Sequence, residues 1–317
     1  MRPTTTRVRR AALLPPVLLL PVLTACGSGD GGAVAAGGAS PAPTADPVAA
    51  VRTVEPVAAL LPAKVREAGT LRVGSSIGAP PGAYYPDGQG KPPAGQDIDL
   101  ADAVAKVLGL ELERQDASFE TILPALGSGK YDLGTGNFGV TAERRKTVDF
   151  VTYINDGQGF AVKTGSTRLK KPVSDLTELC GLTVGTSAGT TFEATLRAQR
   201  GVCAEAGKKP YQVSVFSESG ALNTALRQGR IDVVMSTING LRHQAAQPAA
   251  GTTFLGEYHR LDVGFAFAKG SKLTPAFQAA VNQLIKDGTY ARILEKWGTT
   301  ASAIEKSEIN PPEHARS

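Results

Sequence analysis

Ala125-Leu126-Gly127-Ser128-Gly129-Lys130-Tyr131-Asp132 recurs one hundred residues later as Ala225-Leu226-Arg227-Gln228-Gly229-Arg230-Ile231-Asp232. An upstream pair keeps the same order: Leu71-Arg72-Val73-Gly74-Ser75-Ser76 recurs as Leu182-Thr183-Val184-Gly185-Thr186-Ser187. Each copy runs strand, glycine-bearing loop, helices, strand. A repeat of this kind predicts two α/β units of similar topology, and therefore two lobes.

Around the first copy, Ile122, Leu123 and Leu126 predict an apolar helix that leads into a buried strand at Tyr131 to Leu133. The chain then turns through Gly134, Gly136 and Gly139 toward a helix start at Thr141. Such a start points backbone N–H groups and a hydroxyl outward, with Arg144 one turn further on. The stretch reads as a cup for a small anionic group.

Further out, Asp97 or Asp99 suits the cap of a helix whose Leu100, Val104, Val107 and Leu108 share a face and which Gly109 ends. Leu110 and Leu112 alternate with Glu111 and Glu113 as a half-buried strand. In the second unit Thr190 or Thr191 opens a helix through Leu196, and Gly220 to Leu226 forms another before a strand from Ile231 to Met235. Thr274-Pro275 opens a C-terminal helix, and Tyr290, Ile293, Leu294 and Trp297 give a last apolar face for the core.

The N-terminus sets the compartment. Arg2, Arg7, Arg9 and Arg10 precede an apolar run from Ala11 to Leu23, too short to span a bilayer and suited to a secretory leader. The run ends in Leu23-Thr24-Ala25-Cys26, which resembles the bacterial lipobox, so residues 1–25 are expected to be removed and Cys26 lipidated. That places the chain on the extracellular face of the cell membrane. Removal leaves 317 − 25 = 292 residues and a formal charge of +5 − 4 = +1. No basic stripe interleaved with aromatics remains, which excludes a nucleic-acid partner.

From Gly27 to about Pro62 the Gly, Ala, Ser, Pro and Thr composition shows no apolar period, and residues 26–68 are expected to form the lipidated cysteine and a flexible tether. Cys180 and Cys203 are the cysteines left in an exported chain, so a disulfide is chemically permitted, with two buried thiols as the alternative. His243, His259 and His314 have no metal-ligand spacing, and neither metal nor cofactor is expected.

Several separated motifs add to this pattern: Leu179-Cys180-Gly181, Asp287-Gly288-Thr289-Tyr290, Lys296-Trp297-Gly298 and Ile309-Asn310-Pro311. With the repeat, they make the stretch from about Gly69 to Asn310 resemble the family 3 solute-binding proteins of ABC transporters, the polar amino-acid-binding type, in a Gram-positive lipoprotein branch. The resemblance implies a periplasmic-binding-protein-like (type II) fold, with two α/β lobes joined by two hinge strands. Lobe 1 would comprise residues 69–157 plus 264–317 and lobe 2 residues 158–263. A monomer would close on a small polar solute and present it to a membrane permease.

The resemblance also assigns site residues, in loops at the carboxyl ends of the strands. Arg144 matches the arginine that grips a ligand carboxylate, and Arg145 is its solvated neighbour. Thr141 would add a hydroxyl and an N–H, and Thr190 and Thr191 a helix start from lobe 2. Phe119 would lie against the ligand's side chain. Asn137 and Gly139 stand where serines are common, and Ser187 lies in the second ligand loop. Thr237 falls at the position of the acid that holds an α-ammonium. Ser76 and Ala79 replace the acid and aromatic of a cationic side-chain pocket, which implies that lysine, arginine and histidine are disfavoured.

Other readings compete. Gly185-Thr186-Ser187-Ala188-Gly189 satisfies a nucleophile-elbow pattern, and Ser187, Asp232 and His243 or His259 allow a hydrolase triad in order. The same segment is the second copy of the repeat, which favours a ligand loop and a chain that is not an enzyme. A dehydratase needs a positioned acid or base, and the named pocket positions offer none. A tethered sensor on the same fold remains the alternative to transport.

Overall fold

A computed structural model describes residues 46–313. Eight strands form one mixed sheet: β1 (Thr70–Ser75), β2 (Glu111–Asp116), β3 (Leu133–Gly139), β4 (Val148–Lys163), β5 (Thr183–Ser187), β6 (Gln212–Phe216), β7 (Val233–Thr237) and β8 (Thr252–Ala268). Their spatial order is β2-β1-β3-β8-β4-β7-β5-β6. Within each half the neighbouring strands are parallel, β1 with β2 and β3, and β5 with β6 and β7. The two halves are the two lobes.

The lobes are joined by β4 and β8, of 16 and 17 residues, which run antiparallel along each other. At one end β8 pairs with β3 at Gly134 to Gly139. At the other, β4 pairs with β7 from Gln158 onward. Strands of this length exceed the usual five or six residues because each serves both lobes.

The sequence echo has a packing cause. Gly74 on β1 lies under the ring of Tyr131, where a Cβ would come within 2.5 Å, and Gly185 on β5 lies under Ile231, where it would come within 2.3 Å. Tyr131 and Ile231 are the matching residues of the second echo, so in both lobes a glycine lets the next crossover settle on the strand. Asp132 and Asp232 are also equivalent. Each carboxylate accepts a backbone N–H of its neighbouring strand, from Arg72 in β1 (3.0 Å) and from Thr183 at the start of β5 (2.8 Å).

Four expectations need correction. The glycine stretch 133–139 is strand rather than turn. Thr141 opens only a short 3-10 turn, Arg144–Lys146. Gly95, not an aspartate, occupies the cap of helix Gln96–Leu108, with Asp97 and Asp99 in its first turn. Residues 46–68 pack on the first unit rather than forming tether: Val48, Ala58 and Leu61 are buried, and Val51, Val54, Val57 and Val65 are packed and partly buried. These residues recur at spacings of three and four that the alanine- and proline-rich composition concealed. The strap is fixed to helix Gln96–Leu108 by Val54 N–H to the Val107 carbonyl (2.9 Å) and Lys106 Nζ to the Val48 carbonyl (3.0 Å). The leader, Cys26 and His314 lie outside the described residues.

Cys180 and Cys203 are bonded, Cα to Cα 5.6 Å, linking the 3-10 turn Leu176–Leu179 to helix Val202–Glu205 in lobe 2. A link across 23 residues of sequence adds about 3 kcal/mol by restricting the unfolded chain.

Candidate ligand-binding cleft

A cavity of about 630 Å³ lies between the lobes, within the size range of small-molecule sites. Its wall is built from the carboxyl-terminal parts of β2, β3, β5 and β7, from the loops that follow these strands and β1 and β6, and from Asp156 on β4. Ser76, Phe119, Asn137, Gly139, Arg144, Ser187, Thr190, Thr191 and Thr237 all line it.

Arg144 is the centre of one corner. Its guanidinium donates to the Gly139 carbonyl of lobe 1 and the Gly189 carbonyl of lobe 2, each at 3.0 Å. It also lies over the rings of Phe119 and Phe138, 5.6 and 5.9 Å from their centroids. These two rings pack on each other at 4.6 Å, so Phe119 supports the arginine as well as the cavity wall. Burial pulls the guanidinium down to about 10, and it stays charged at neutral pH. Among the described residues it has neutral carbonyls and no carboxylate as hydrogen-bond partners, so it is a desolvated cation suited to an incoming anion.

Thr141 is not on the wall. Its hydroxyl accepts the Arg144 backbone N–H at 3.2 Å and so holds the turn that carries the guanidinium. Arg145 is not simply solvated either: it is half-buried and reaches the Asn310 carbonyl at 3.4 Å, away from the cavity.

Across the cleft, Thr190 caps helix Thr191–Ala198 by accepting Glu193 N–H at 3.3 Å, and Thr237 caps helix Ile238–Ala245 by accepting Gly240 N–H at 3.1 Å. Both helix starts therefore face the cavity with their positive ends. At Gly189, with φ +69°, a Cβ would stand 2.7 Å from the Glu120 Cβ of lobe 1, so the lobes touch backbone to side chain here.

Four carboxylates on the wall escaped sequence reasoning: Asp97, Asp116, Asp156 and Glu218. Among the described residues, Arg144 is the one lysine or arginine that accompanies them there. Asp116 and Glu218 are exposed, Asp116 accepting the Tyr85 hydroxyl at 3.2 Å. Asp97 and Asp156 are buried, and desolvation pushes each up to about 6 against the hydrogen bonds that they accept. The expected lack of acid in the pocket is thus overturned, because motif matching tests only the positions that it names.

The triad reading fails on geometry. Asp232 lies beside Thr183 at the start of β5, and Ser187 ends that strand four residues on, about 13 Å away. His243 engages Gln247, just past the end of its own helix, at 2.6 Å.

Fold and cleft together define a two-lobed protein of the solute-binding class, with its cavity between the lobes. The chain belongs to the bacterial extracellular solute-binding proteins, family 3, matching that family over residues 71–300. The arginine-binding protein ArgT of Corynebacterium glutamicum is 31% identical over 259 residues, covering 81% of this chain and 83% of that protein. The L-cystine-binding protein TcyJ of Escherichia coli K12 is 30% identical over 238 residues, 74% of this chain and 84% of the relative. An ancestral arginine-binding protein solved with arginine is 35% identical, with a TM-score of 0.64, over 72% of this chain and 98% of that one. These relatives are binding proteins, not enzymes. Among the described residues no helix is long and apolar enough to cross a membrane.

Proposed function

We propose that this protein captures an amino acid between its lobes, with Arg144 gripping the carboxylate, and delivers it to an ABC permease. The observation that carries this is Arg144 itself, a desolvated guanidinium whose neutral acceptors come one from each lobe. A carboxylate there exchanges carbonyl contacts for a charge-assisted pair, worth roughly 1.5–3 kcal/mol. Four wall carboxylates against one guanidinium favour a ligand that also brings positive charge. The arginine-binding names of two relatives support this side of the family's range. The division into lobe 1 (69–157 plus 264–317) and lobe 2 (158–263) and a lipid anchor on Cys26 after removal of residues 1–25 complete the reading. The anchor is supported by the lipobox at the end of the apolar run.

The test is a thermal-shift screen of residues 46–317 against amino acids and small carboxylates, with Arg144→Ala and Arg145→Ala alongside. A ligand at a hundred times its Kd stabilises wild type by about 2.7 kcal/mol. Arg144→Ala is expected to lose that shift and Arg145→Ala to keep it. Equal losses from both would remove the carboxylate clamp.

A further inference from the structure

The hinge side of the cavity carries a continuous chain of polar groups. Gln96 Nε2 donates to Asp97 Oδ1 at 3.4 Å, the Asn137 backbone N–H also serves Asp97, and Asn137 Nδ2 donates to Asp156 Oδ2 at 3.2 Å. The other Asp156 oxygen accepts the Asn239 N–H at 3.1 Å. Asn137 reaches both acids because its backbone adopts φ 58°, a left-handed conformation that asparagine tolerates. Gln96, Asp97 and Asp156 are at most 2% exposed, and all line the cavity.

Asp156 takes its hydrogen bonds from neutral amides. Arg260, whose charge reaches it, is engaged by Glu257 at 2.7 Å. An independent sign of a ligand group is Gln96 Oε1, a buried acceptor on the same wall with no donor. Two carboxylates and a spare acceptor suit a group with several N–H donors and a positive charge. The opposite pole is close: Asn137 serves Asp156, while Gly139, two residues along β3 and so at most about 7 Å away, holds Arg144.

We propose that the ligand's ammonium is received at this hinge wall, with Asp156 as its counter-charge and Gln96 Oε1 as a second acceptor. The inference rests on the reading that Arg144 holds the carboxylate. Asp156 bonds to Asn137 of lobe 1 and to Asn239 of lobe 2, so a charge bound there is tied to the arrangement of both lobes.

Calorimetric titration of ligand-stripped protein with L-arginine and L-glutamine, each beside its deaminated acid (5-guanidinopentanoic and 4-carbamoylbutanoic acid), and with agmatine, tests it. Wild type is expected to bind at least one amino acid, and its deaminated acid at least tenfold more weakly. Asp156→Asn should cost the amino acid at least tenfold and leave little difference between it and the deaminated acid. Adding Thr237→Asp, which keeps the cap of helix Ile238–Ala245, should restore the difference. A deaminated acid that binds wild type as tightly as its parent overturns the ammonium site and leaves the Arg144 clamp standing. So does Asp156→Asn with unchanged selectivity. Binding of agmatine alone, or of none of the five probes, removes the clamp and this inference together. The wild-type comparison stands whether or not the variant folds.

Discussion

The two lobes share a strand order but contribute differently to the cleft. The buried charged side chains of the wall, Asp97, Asp156 and the half-buried Arg144, come from the first unit or from β4. The second unit offers hydroxyls and helix starts at Ser187, Thr190 and Thr237, and its one charged wall residue among the described residues, Glu218, is exposed. On the function proposed above, the difference implies an order of events: a charged solute would load first on lobe 1, and lobe 2 would then add contacts that need only the right distance.

The strongest way to break this division is Gly189→Ala. Left-handed backbone costs alanine about 1–2 kcal/mol, and the new Cβ meets Glu120 across the cleft. Loading should persist with at least tenfold weaker affinity, while small-angle scattering loses the contraction that ligand gives wild type. A normal contraction would show that the lobes do not meet at this point.

Reducing the Cys180 to Cys203 bond should weaken lobe 2 by about 3 kcal/mol. Hydrogen exchange is expected to rise in β5 and β6 while β1 and β2 stay protected. A uniform rise would mean that the lobes unfold as one.

The repeat made the two lobes legible, and the stretch from Gly134 to Thr141 with the family resemblance pointed to Arg144, which lies on the cavity wall. Asp156 was not legible: it reads as one polar position in a long strand, and only the pairing of β4 with its neighbours brings it to Asn137 and Asn239. Asp116 and Glu218 were missed because the fold gathers them from distant points, the end of β2 and the loop after β6. The valine strap was hidden by its composition, since small residues between valines diluted the apolar spacing.

A smaller effect concerns the buried acids of the wall. Their pKa values are raised to about 6 from 3.8, so folded protein takes up protons before unfolded chain does. Stability from this source rises as pH falls through 6 toward 4. Asp132, Asp149, Glu178 and Glu257 are held below their usual range, and their contribution is lost only below about pH 4.5. Burial lowers the His243 pKa, so below 6.5 it works the other way. Subtraction isolates the acid: between pH 7.5 and 5 the Tm of wild type should gain on that of Asp156→Asn. Parallel profiles would show that burial does not raise the Asp156 pKa.

The least effect is expected from Thr190→Ala, which removes the cap of helix Thr191–Ala198 and costs about 1 kcal/mol. Calorimetry should show weaker closure with the charge selectivity of lobe 1 intact.

The contact of Gly189 with Glu120 also bears on what a permease can sense. If closure brings the lobes to this same contact whatever lies between them, the outer surface of the closed protein would be the same for a short cargo and a long one. Docking on a permease would then transmit a single bit, loaded or not, and the identity of the solute would be checked once, inside the cleft.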